Sequence, residues 1–129
     1  MKTIRLTMAQ ALVRFLMAQR TTLNGSDAPL FAGLFGIFGH GNVTCLSEAL
    51  EQVKNDFPTW RGQNEQSMAL AGIAYAKAMN RRQIMVSLSS IGPGSLVLLP
   101  SLEPYPRTLD LVYMKYVILT SRGVKYREL

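Results

Sequence analysis

The first apolar pattern of the chain predicts a helix. From residue 8 to residue 16 the apolar residues recur at the spacing of one helical face, namely Met8, Ala11, Leu12, Phe15 and Leu16. Thr7 precedes this pattern and Gln10 follows three positions later, which is the capping-box arrangement in which each side chain accepts a hydrogen bond from a free backbone N–H. We therefore predict a helix over residues 8–19.

Three further apolar runs predict strands, and helical patterns separate them. Residues 30–38 form an unbroken apolar run that is typical of a strand covered on both faces, and shorter strands are predicted over 57–61 and 84–88. Helices are predicted over 44–54 and 65–79, the second with Met68, Ala71, Gly72, Tyr75, Ala76 and Met79 on its apolar face. Because helices and strands alternate, the fold class is α/β, a three-layer domain with a mostly parallel sheet.

The loops that follow the three strands are the candidate site. Parallel strands end at one edge of their sheet, so the loops 39–42, 62–65 and 89–95 are expected to lie together where α/β sheets bind ligands. Glu65 either meets the positive end of a helix dipole or exchanges a proton with a ligand nitrogen. His40 is either an acid–base residue or a hydrogen-bonded loop residue, and Cys45 is expected to be a small packing residue in a first helical turn.

The composition excludes several classes of protein. The 129 residues carry a net charge of +6, but only Arg81 and Arg82 are adjacent basic residues, which argues against nucleic-acid binding. No apolar run approaches the roughly 20 residues of a membrane span. The single cysteine and single histidine exclude an internal disulfide and cysteine-cage or three-histidine metal sites, so no metal ligands are predicted. A lone thiol suits a reducing compartment, so we expect a cytoplasmic protein.

Four separated segments resemble one family in the same order. Residues 36–39, 61–69, 74–77 and 90–94 are similar to motifs in the pyrimidine-binding domain of thiamine-diphosphate-dependent enzymes, such as acetolactate synthase and pyruvate decarboxylase. Residues 1–12 and 35–42 are most similar to the branch that hydrolyses a carbon–carbon bond of a cyclic diketone in myo-inositol catabolism. The resemblance implies that residues 1–95 are a partial pyrimidine-binding domain, incomplete at its C-terminal end.

This resemblance assigns a role to Glu65. The glutamate at this position in the family hydrogen-bonds a ring nitrogen of the cofactor's aminopyrimidine, favours its imino tautomer and thereby promotes loss of the thiazolium proton. The cofactor-binding positions implied by the resemblance are Phe38, Gly39, His40, Glu65, Ser90 and Gly94. They serve only the pyrimidine end of thiamine diphosphate, because the family binds the diphosphate and Mg²⁺ through a GDG motif of another domain, which this sequence lacks. The implied partner is a second copy of the chain in a homodimer or the missing diphosphate-binding domain.

The resemblance stops after Gly94. Residues 96–129 form a divergent tail of unknown structure, and an abrupt loss of likeness within a domain is expected of a truncated or frame-shifted product that is inactive alone. Two alternatives stay open. The chain is the pyrimidine-binding subunit of a split thiamine-diphosphate decarboxylase, or it is a non-catalytic basic binding protein.

Overall fold

A computed structural model describes residues 3–39, 41–90 and 94 of the chain. His40 and the predicted tail 96–129, with the C-terminal limit of the predicted domain, lie outside the described residues. The elements in chain order are α1 (Met8–Ala18), β1 (Arg20–Leu23), β2 (Ser26–Pro29), β3 (Phe31–Gly36), α2 (Gly41–Thr44), α3 (Leu46–Glu51), β4 (Thr59–Arg61), α4 (Glu65–Ala78) and β5 (Ile84–Leu88).

The predicted α/β fold with a parallel sheet is confirmed. Strand β3 lies in the centre of a three-stranded sheet with the order β4-β3-β5, and both neighbours run parallel to it. Helices connect these strands, as parallel pairing requires. The capping box also forms, because the Thr7 side chain accepts from the backbone N–H of Gln10 while the Gln10 side chain accepts from that of Thr7.

Helices cover both faces of the sheet. On one face, Leu34 of β3 and Val86 and Leu88 of β5 form a core cluster with buried residues of α1 and α3. On the other face, Met85 of β5 packs in a second cluster with alanines of α4. Successive residues of a strand point to opposite faces, so β5 is buried along its whole length.

The structure corrects the predicted apolar face of α4. Met68, Gly72 and Ala76 are buried as predicted, but Ala71 is exposed and the buried stripe instead includes Ala69 and Ile73. Alanine and other apolar residues occur all round this helix, so the apolar pattern leaves its rotation undetermined. Packing against β5 selects the face.

Two regions between the predicted elements also differ. Residues 20–29, for which no strand was predicted, form a β-hairpin of β1 and β2, in which Asn24 and Gly25 have φ angles of 52° and 81°. The predicted helix 44–54 is shorter in the structure, where it corresponds to α3. The separate helix α2 precedes it and ends before Cys45, beside the β-branched residues Val43 and Thr44, whose stiff side chains favour helix poorly. Cys45 is exposed, so its predicted role as a packing residue is wrong.

Candidate functional site

The carboxyl ends of the three parallel strands lie side by side. In the sheet register Gly36 is opposite both Arg61 and Leu88, the last residues of their strands. The backbone N–H of Gly62 donates to the carbonyl oxygen of Gly36 at 3.0 Å, so the connections after β3 and β4 begin in contact. This level edge brings together the three loops that the sequence singled out.

Glu65 begins α4 at this edge. Asn64 caps the helix, since its side-chain oxygen accepts from the backbone N–H of Ser67 at 2.9 Å. A carboxylate in a first helical turn is stabilised by the positive end of the helix dipole. The Glu65 side chain is half-buried, and its Oε1 accepts a long hydrogen bond of 3.4 Å from the backbone N–H of Ser90.

Two glycines allow close packing at this edge of the sheet. A Cβ atom on Gly94 would overlap Oε1 of Glu65 and lie 2.9 Å from its Cδ, so the carboxyl group rests directly on the Gly94 backbone. A Cβ atom on Gly39 would likewise overlap Oγ of Ser90. Any larger residue at either position would therefore displace the side chain opposite.

The structure thus brings together four of the six predicted site residues. Gly39, Glu65, Ser90 and Gly94 form one connected group, whereas the ring of Phe38 packs beside Gly36 and against the core cluster of α1 and α3. His40 lies outside the described residues. The roles assigned to these residues stay predictions.

Sequence reasoning missed Asn42. Its side-chain nitrogen donates to the carbonyl oxygen of Ser89 at 2.9 Å, which joins the loop after β3 to the loop after β5. The only available signal was its position within a predicted site loop, because no sequence pattern identifies which asparagine bridges two loops.

A cavity of about 390 Å³ lies between the start of α1 and the α2–α3 segment. Met8, Asn42 and Cys45 are among its lining residues, but Glu65 and Ser90 are not. Within the described residues, no three histidine, cysteine, aspartate or glutamate side chains are grouped to hold a metal ion. No helix in that part of the chain has the length and apolar character needed to cross a membrane.

Several known proteins are similar in sequence to this chain. The chain is 52% identical over 95 residues to the 3D-(3,5/4)-trihydroxycyclohexane-1,2-dione hydrolase of Geobacillus thermodenitrificans, and 51% identical over 94 residues to the protein of that name from Listeria innocua. The Bacillus thuringiensis protein of that name is 46% identical over 101 residues. This chain is homologous to one segment of these hydrolases.

The similarity covers most of this chain but only a small part of each hydrolase. It includes 74%, 73% and 78% of this chain in the three comparisons, but only 15%, 15% and 16% of the respective hydrolases. The resemblance to hydrolases of a cyclic diketone is confirmed, and the matches extend over 94 to 101 residues. No protein-family model matches the chain.

Proposed function

We propose that this chain is the pyrimidine-binding part of a thiamine-diphosphate-dependent hydrolase that cleaves a carbon–carbon bond of a cyclic diketone in inositol catabolism. The similarity to hydrolases named for trihydroxycyclohexane-1,2-dione supports the substrate class. The half-buried carboxyl group of Glu65 at the carboxyl edge of the sheet carries the cofactor assignment.

The Glu65 carboxyl group is chemically suited to the nitrogen of a heteroaromatic ring. The carboxyl group can share a proton with a ring nitrogen, and partial burial strengthens such a hydrogen bond. Gly39 and Gly94 let the Ser90 hydroxyl group and the Glu65 carboxyl group lie directly against the backbone, where a Cβ atom would overlap them. In this proposal Glu65 holds and moves a proton at the ring nitrogen, while Gly39, Ser90 and Gly94 lie beside the ring.

Thiamine diphosphate would supply an electron sink for cleavage of a bond next to a carbonyl group. This chain would contribute the contacts to the pyrimidine end, and another domain or subunit would contribute those to the diphosphate and Mg²⁺. The chain spans about 15% of the length of the relatives that it matches. We therefore propose that the 129 residues alone do not turn over substrate.

A chimeric enzyme tests the role of Glu65. Residues 3–90 of this chain would replace the matching segment of the Geobacillus thermodenitrificans hydrolase, and hydrolysis of its diketone and binding of thiamine diphosphate would be measured. We expect an active chimera whose activity falls by at least about 100-fold in Glu65→Gln, the loss typical of a removed general acid–base group. The matched control is Gln66→Glu, Glu65→Gln, which restores the net charge but not the position of the carboxyl group. Full activity in Glu65→Gln would refute the assignment.

Calorimetry on the isolated chain tests its dependence on a further domain. Thiamine diphosphate and Mg²⁺ would be titrated into the 129-residue chain, with the Glu65→Gln variant as control. We expect no measurable heat of binding, because only the pyrimidine end would find partners. Micromolar affinity that is lost in the variant would show that the chain binds the cofactor unaided. Turnover restored by adding a separate diphosphate-binding chain would favour a split enzyme.

A further inference from the structure

One peptide group in the site is held at both ends by side chains from the other two loops. The carbonyl oxygen of Ser89 accepts from Nδ2 of Asn42 at 2.9 Å. The N–H of the same peptide group, which belongs to Ser90, donates to Oε1 of Glu65 at 3.4 Å. Asn42 and Glu65 are therefore connected through a single peptide unit.

The geometry of the peptide group makes this connection directional. A peptide unit is planar, and in the trans form its C=O and N–H point in opposite directions. Fixing the carbonyl oxygen with Asn42 therefore fixes the direction in which the Ser90 N–H points at Glu65. A carbonyl group can only accept, so the nitrogen of the Asn42 amide must face it.

The two hydrogen bonds of the peptide group also strengthen one another. A donor on the carbonyl oxygen polarises the unit and strengthens its N–H as a donor, by roughly 10–30% in condensed-phase treatments of hydrogen-bond chains. The peptide has little freedom to turn away, because Oγ of Ser90 lies against the Gly39 backbone, where a Cβ atom would overlap it. Removal of the Asn42 amide would weaken the hold on the Glu65 carboxyl group without touching that group.

We propose that Asn42 is a positioning residue for Glu65 and acts through the Ser89–Ser90 peptide group. Any effect of Asn42 on catalysis rests on the function proposed for Glu65. The coupling between Asn42 and Glu65, however, is a property of the chain without cofactor. A side chain that only fastened two loops would hold the backbone equally well whatever the protonation state of Glu65. Coupling instead requires that the Ser90 N–H senses that protonation and that Asn42 controls how strongly it does so.

Nuclear magnetic resonance on the full 129-residue chain, free of cofactor, tests the coupling. The proton shift of the Ser90 amide would be followed during acidification, together with its hydrogen-exchange rate. We expect the shift to respond to acid in the unsubstituted chain and to lose that response in Glu65→Gln. In Asn42→Ala and Asn42→Leu the response should fall by about half or more, and exchange at Ser90 should accelerate about three- to tenfold, as loss of one hydrogen bond implies.

Matched controls separate coupling from loop fastening. Asn55 is exposed between α3 and β4, so Asn55→Ala and Asn55→Leu should leave both Ser90 measurements unchanged. Faster exchange in the Asn42 variants with a full-sized acid response would mean that Asn42 only fastens the loops and would overturn the proposal. An unsubstituted chain whose Ser90 amide ignores acid would overturn it without any Asn42 variant. Neither result depends on cofactor binding, so failure of the proposed function would appear only in the chimera.

Discussion

Alanine at position 33 should disrupt the contact between β3 and β4. Gly33 is buried in the central strand, and a Cβ atom there would lie 2.5 Å from the carbonyl oxygen of Pro58 and 2.5 Å from Cζ3 of Trp60. The Pro58 oxygen also accepts from the backbone N–H of Leu34 at 2.9 Å. A backbone oxygen cannot turn aside as a side chain can, so β4 must move away from β3.

The size of the effect follows from these two contacts. Insertion of a methyl group into a closely packed site costs about 1–3 kcal/mol. Weakening of the Leu34–Pro58 hydrogen bond adds about 1 kcal/mol. We therefore expect Gly33→Ala to lower the free energy of unfolding by about 2–4 kcal/mol, a large share of the roughly 5–15 kcal/mol typical of a folded domain.

Trp60 provides the assay, because it is the single tryptophan of the chain and lies at the site of the clash. Urea unfolding would be followed by its fluorescence and by circular dichroism, and its native emission should shift in Gly33→Ala. Gly25→Ala is the control: its φ of 81° costs roughly 1–2 kcal/mol, but no atom lies within 4 Å of the added Cβ. Its native emission should therefore be unchanged. A loss below about 1 kcal/mol in Gly33→Ala with unchanged emission would refute the β3–β4 packing described here.

Two further perturbations test local features. Thr7→Ala removes the cap of α1 and should lower the free energy of unfolding in urea by about 1 kcal/mol. Thr3 is exposed and precedes the helix, so Thr3→Ala should not change this free energy measurably. Equal losses in the two variants would contradict the capping box. The hydrogen bond from Arg20 lowers the pKa of Asp27 below its usual 3.8. This exposed pair therefore stabilises the hairpin at pH values above 3.8, and the stabilisation is lost as the pH falls through the pKa of Asp27 in the folded state. Arg20→Gln should return the pKa of Asp27 toward 3.8 in a magnetic-resonance titration, and an unchanged midpoint would exclude the ion pair as its cause.

The sequence predicted most accurately the elements with strong apolar character. The strand predicted over 84–88 matches β5, because this strand is buried on both faces and four of its five residues are apolar. The start of α4 at Glu65 was also predicted correctly, since the polar run before it marks the end of a strand. The hairpin was missed because Arg20–Leu23 and Ser26–Pro29 have no buried residue and carry few apolar residues.

Contacts between distant segments were predicted only as far as topology determines them. Parallel strands imply that the loops after β3, β4 and β5 meet, and the hydrogen bond between Ser90 and Glu65 confirms that they do. The bridge from Asn42 to Ser89 begins in the short helix α2, where the sequence predicted a loop over 39–42. A residue that acts through one hydrogen bond to a backbone carbonyl group leaves no periodic pattern, so such residues are found only in the structure.

The register of the sheet determines which residues of the three loops lie close together at the site. Gly36, Arg61 and Leu88 lie level, and Gly39, Glu65 and Ser90 follow them by three, four and two residues. A slip of β4 by one residue against β3 would move Glu65 by about 3.3 Å and turn β4 over, so that the Ser90 N–H would lie beyond its reach. Gly33 contacts Pro58, just before the start of β4, whereas Glu65 follows the other end of this strand. Residues that hold β4 in register, such as Gly33, therefore determine the position of the Glu65 carboxyl group. Loss of the Ser90–Glu65 response in Gly33→Ala would demonstrate this dependence.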